Sequence, residues 1–178
     1  MSQHAITYVE LDVSPDVAAG RAAELTGWLL AEGIVVRNPS PGLHQPSELI
    51  PGPKAGVVAG DAWQFIGLSN SGVDVVAKRV AHHPVENYEP PPCPVCTMPL
   101  DSKHHYALLE EWMTGTEPAV TCGTCGETNR IGDWVHGFTF YVGNLAVRFN
   151  NWTPLSEEFA AALVSRVGTR WRLVLEHS

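Results

Sequence analysis

The stretch that decides the fold is "NLAVRFNNWTPLSEEFAAALVSRVGTRWRLVLEH", residues 144–177. Its first nine residues are rich in apolar and β-branched side chains, as a strand requires. Thr153-Pro154 then combines a capping residue with a proline suited to the first helical turn, where its missing N–H is no loss. Leu155, Phe159, Leu163 and Val167 recur at helical spacing, with Ala160 and Val164 adjoining. Gly168 is a stop, and "WRLVLEH" reads as a closing strand with Trp171, Leu173 and Leu175 on one face.

The other end of the chain repeats this grammar. "HAITYVELDV" (residues 4–13) reads as a strand, and Ser14-Pro15 opens a helix. Ala18, Ala22, Leu25 and Leu29 form the apolar stripe, Val17 and Trp28 flank it, and Gly33 ends it before the short strand "IVVR". Two such strand–helix–strand units predict an α+β fold: a two-layer split βαβ-like sandwich with a mixed sheet and two helices on one face. A two-layer sheet with another strand order is the alternative. The sandwich is expected over residues 1–89 and 134–178, with residues 90–133 inserted.

The intervening segments differ in material. Residues 38–60 hold five prolines and four glycines, which predicts a surface loop with one short extended piece. Residues 72–83, "GVDVVAKRVAHH", alternate as a single strand should, and "FTFYV" (138–142) is strand-like as well.

The inserted segment holds every cysteine: Cys93 and Cys96 in "CPVC", Cys122 and Cys125 in "CGTC". Two residues between cysteines allow a tight turn that aims both sulfurs at one point, and two such turns supply four thiolates for a tetrahedral ion. Thiolates are soft ligands and suit zinc. Four of them fill the coordination shell and leave no position for a substrate, so the expected role is structural. Rubredoxin-type iron uses the same ligand set, but the aromatic and Asp-Trp signatures of that family are missing between the pairs.

The segment resembles the zinc-ribbon class in its paired knuckles over roughly 40 residues. Farther on, "GNLAVRFNNWTPLSEEF" resembles the end of small, uncharacterised bacterial proteins that place a zinc ribbon before such a segment. The likeness implies zinc as cofactor and brings no catalytic residue with it.

Charge and missing motifs exclude several functions. The formal net charge is −8, distributed as −5 over residues 1–89, −4 over 90–133 and +1 over 134–178. A nucleic-acid binder needs a basic face; only Lys78, Arg79, Arg148, Arg166, Arg170 and Arg172 are candidates for one, so no nucleic-acid partner is expected. No apolar run approaches the ~20 residues of a membrane helix. The chain start carries no secretory signal and the cysteines are paired for metal, which implies the cytoplasm. Phosphate loops, dinucleotide fingerprints, nucleophile elbows and H-E-x-x-H are missing. An enzyme would have to use His82, His83 or His136 as acid or base in a cleft of the sandwich.

Between the knuckles, "HHYALLEEWM" (104–113) carries a helical stripe of Tyr106, Leu109 and Met113 with Trp112 beside it. The stripe either packs on the sheet or forms a partner-binding patch centred on Trp112. The reading of function is therefore a cytoplasmic zinc-binding accessory protein that contacts an unidentified protein partner. The sequence does not specify that partner or the oligomeric state.

Overall fold

The computed structural model describes residues 4–43, 45–59 and 70–177. Its frame is a six-stranded sheet in the order β10-β1-β9-β4-β3-β2. The strands are β1 (His4–Glu10), β2 (Val35–Arg37), β3 (Leu49–Pro51), β4 (Gly72–Val76), β9 (Leu145–Asn150) and β10 (Trp171–His177). Helices α1 (Pro15–Ala31), α2 (Ala55–Ala59) and α4 (Glu157–Val167) lie on one face of it. Residues 90–133 add α3 (Ser102–Thr114) and the hairpin of β6 (Ala119–Thr121) with β7 (Thr128–Arg130). Strands β5 (Val80–His82) and β8 (Tyr141–Gly143) pair as a separate ribbon.

The α+β sandwich is as the two ends of the chain predict. The expected mixed sheet is instead antiparallel at every neighbouring pair. β9 and β10, joined through α4, run in the same sense, but β1 is threaded between them. This is the split βαβ arrangement, and the threaded strand is what removes parallel neighbours.

Period-two alternation assigns the faces. Ile6 and Tyr8 of β1, Val73 of β4 and Leu145, Val147 and Phe149 of β9 face the helices. Ala22, Leu25 and Leu29 of α1 and Phe159, Leu163 and Val167 of α4 close over them, and Trp152 joins this core fully buried. Val9, Ala146 and Val174 point the other way, into a second core.

Three local readings change. Residues 72–83 are two strands, because the chain leaves the main sheet at residues 77–79 and β5 crosses to β8. The final helix is capped by Ser156, whose Oγ accepts from Phe159 N at 3.3 Å, and not by Thr153. Pro154 stays outside, and Glu157 and Glu158 occupy the first turn, where the helix dipole favours acids. The proline-rich segment supplies the expected extended piece as β3, but also the short helix α2. His44 and Gly60 of that segment lie outside the described residues.

Candidate metal centre and the face that carries it

Each cysteine pair sits on a turn with the same hydrogen bonds. Cys93 N donates to Met98 O at 2.8 Å, and Thr97 N returns to Cys93 O at 2.9 Å. In the second turn Cys122 N donates to Glu127 O at 2.8 Å, and Gly126 N returns to Cys122 O at 2.9 Å. The residue after each second cysteine takes a left-handed backbone, φ 62° at Thr97 and 77° at Gly126. Glycine adopts that conformation freely, whereas threonine is strained in it. Val95 N points at Cys93 Sγ at 3.4 Å. The N–H groups of Cys125 and Thr124 do the same for Cys122 and pull its thiol down to about 6.

The two turns bring the four sulfurs together. Cys93 Sγ lies 3.7 Å from Cys125 Sγ, and Cys96 Sγ lies 3.6 Å from Cys122 Sγ. All four ligand atoms fall within 4.8 Å of one another. A tetrahedron with metal–sulfur bonds of 2.3 Å has sulfur–sulfur edges of about 3.8 Å. The donor set therefore fits one tetrahedral metal ion, held by one cysteine pair from before α3 and one from the β6–β7 hairpin.

The cysteine-bearing segment is packed onto the sheet. Cys93 and Cys122 are buried in the second core beside Leu108, Leu109, Trp112, Ile131, Trp134 and Tyr141, with Val9, Ala146 and Val174 of the sheet beneath. This settles where the stripe on α3 points. Trp112 (2% exposed) and Leu109 (6%) are core, whereas Tyr106 (45%) and Met113 (36%) remain at the surface. The four residues do not form one patch centred on Trp112. Tyr106 and Met113 line a shallow groove with Ala81, Glu110 and Phe140, and Leu109 lies at its base.

Two polar contacts that sequence reading missed lock this packing. Arg79, in the turn between β4 and β5, donates to the Met113 and Gly115 carbonyls at 3.1 and 2.6 Å and also to Trp112 O. It satisfies the carbonyls that the end of α3 leaves open. Arg170 of the sandwich is 8% exposed and meets Glu117, Asp12 and Asp133. Arg172 and Arg130 extend the network to the same acids. Gly132 lies against it: a Cβ there would stand 2.5 Å from Leu11 Cδ1 and 2.6 Å from Glu117 Oε1. The partners are up to 158 residues apart, so no local spacing announces them.

Among the described residues, His82, His83 and His136 are not brought together. His82 and His105 are buried, and loss of water pulls each down to about 4. His83 packs against Phe140, and His136 Nε2 lies 3.3 Å from Glu89 Oε2. A cavity on the sheet's second face, floored by Asp74, Arg148, Asn150 and Glu176 and flanked by Val76 and Val85, is bordered by His4 and by none of His82, His83 and His136. Of the six basic residues considered for nucleic acid, Arg148 is paired with Glu176, Arg170 and Arg172 with acids, and Arg79 with carbonyls. Arg166 lies 4.4 Å over the Trp28 ring, which leaves Lys78 exposed and far from a stripe. No helix among the described residues is long and apolar enough to cross a membrane.

No protein-family model matches the chain, and neither a curated protein nor a solved structure matches it.

Proposed function

We propose that this is a zinc-binding accessory protein that works through contact with a protein partner, its zinc being structural. The observation that supports the reading best is the closed set of four sulfurs at tetrahedral edge lengths. Four thiolates around one zinc leave no open position for a substrate. What zinc supplies is the local folding energy that anchors the two knuckles, and with them α3, on the sheet. The groove between Tyr106, Met113 and Phe140, with Glu110 at its margin, is then presented on a rigid support. An apolar side chain of the partner fits it, since a pre-ordered surface loses little entropy on docking.

The cytoplasm suits a chain whose cysteines are committed to metal, because reducing conditions keep them as thiols. A net charge of −8 with most arginines already paired argues against a nucleic-acid partner. Hydrogen exchange before and after chelation tests the structural role. Amides of residues 90–133 should lose protection on zinc removal while β1, β9 and β10 keep theirs. Equal protection of residues 90–133 with and without zinc would contradict it.

A further inference from the structure

The second face of the sheet is divided. Its apolar end is covered by the cysteine segment, and its polar end forms the floor of a cavity of about 560 Å³. That volume falls within the range of small-ligand sites, about 300–1,000 Å³. We propose that this cavity binds a zwitterionic small molecule of the free α-amino-acid class, its carboxylate on Arg148 and its ammonium on Asp74. The cavity shares no lining residue with the four-cysteine cluster.

The hydrogen-bond inventory of the floor decides the ligand class. Asp74 and Arg148 are directly paired on the neighbouring strands β4 and β9. Arg148 uses Nε on Asn150 Oδ1 and Nη2 on Glu176 Oε2, both at 2.7 Å, and among the described residues its Nη1 has no hydrogen-bond partner. Asp74 accepts from Asn150 Nδ2 through Oδ2 at 2.6 Å, and among the described residues its Oδ1 has no hydrogen-bond partner. The amides of Asn150 and Asn151 are spent inside the protein, on Ser47, Asp74 and Arg148 and on His4 and Asn70. Beside the polar groups of Ser47, Asn70 and Glu176 in the lining, this leaves a ligand one guanidinium nitrogen of Arg148 and one carboxylate oxygen of Asp74, of opposite charge. Opposite charges held side by side complement a molecule that carries both.

The lining is also built to stay in place. Glu176, with its side chain 7% exposed, holds Arg148 from the far strand, and its carboxyl is raised by burial. Both ligand contacts rise from strands in the middle of the sheet, so little ordering is needed on binding. With Asp74 and Glu176 against Arg148, the lining carries a formal charge of −1. A simple carboxylate is therefore repelled, and a simple amine forfeits the Arg148 contact.

Calorimetric titration of the metal-replete full chain with the standard free amino acids tests this, with propionate and ethylamine as single-charge controls. At least one amino acid should bind saturably and both controls should bind at least about tenfold more weakly. Asp74→Asn keeps the shape and the Asn150 contact, and should weaken the amino acid by about tenfold or more. A folded Asp74→Asn protein, verified by its circular dichroism, keeps that comparison interpretable. Absence of binding by every amino acid at about 10 mM, undiminished binding by the variant, or equal binding of either control would each overturn the proposal.

Discussion

Arg170 Nη2 donates to Glu117 Oε1 at 2.6 Å while Nη1 contacts the other carboxylate oxygen, so the chain just before β10 and the cysteine-bearing segment are joined at two points. Both side chains are 9% exposed. Removing one member of a buried pair strands the other charge, which typically destabilises by about 3–5 kcal/mol. Arg170→Ala should lower urea-unfolding stability by that amount, because Asp12 and Asp133 lose a partner as well. A loss under about 1 kcal/mol would place the pair among ordinary surface bridges.

Gly132 tests the same junction through shape. The close approach of Leu11 and Glu117 leaves no room for a methyl group. Gly132→Ala should cost about 1–3 kcal/mol by overpacking and should lower protection of β6 and β7 before that of β9. Thermal melting and hydrogen exchange read the two effects.

The burial of Trp112 separates packing from recognition. Trp112→Ala should destabilise by about 3–5 kcal/mol as a cavity-forming change. Tyr106→Ala and Met113→Ala, at exposed positions, should stay within about 0.5–1 kcal/mol of the parent. On the proposed function they should nevertheless weaken partner binding. A stable Trp112→Ala protein would contradict the second core.

His105 gives a pH signature. Its ring is fully buried, Nδ1 contacts Tyr88 OH at 2.9 Å, and loss of water holds it at about 4 against 6.5 when free. A folded-state value below the unfolded one means that the unfolded chain takes up the proton first. The stabilisation is complete above pH 6.5 and is lost as pH falls from 6.5 toward 4. Relative to His105→Phe, the parent should lose up to about 1.4 kcal/mol per pH unit in that window. Comparing the two proteins cancels Glu10 and Glu176, whose carboxyls are raised by burial and act with the opposite sign. Parallel stability profiles from pH 7.5 to 5 would show that His105 does not titrate this way.

Much of this molecule was legible in its sequence for local reasons. Period-two alternation gave β1, β9 and β10, helical stripes gave α1, α3 and α4, and the two Cys-x2-Cys turns marked the four cysteines that cluster. What stayed hidden depends on distant partners. The antiparallel sheet arises because β1 inserts between β9 and β10, which no window of sequence reveals. The burial of Trp112 follows from the sheet face beneath α3, and the Arg170 network from residues far apart in the chain. One signal was available and unused. Arg148 and Asn150 alternate with buried apolar residues in β9, and Glu176 interrupts an apolar closing strand. Charges at strand positions that face inward mark a polar site on the sheet.

The central claim is that four cysteines hold one zinc ion and thereby seat residues 90–133 on the sheet. X-ray absorption of untagged protein, purified from zinc-replete cells, tests it most directly. The account predicts about one zinc per chain, with four sulfur neighbours at about 2.3 Å and no lighter ligand. Iron in the site, a shell containing nitrogen or oxygen, or a metal-free protein whose residues 90–133 are fully protected would contradict it.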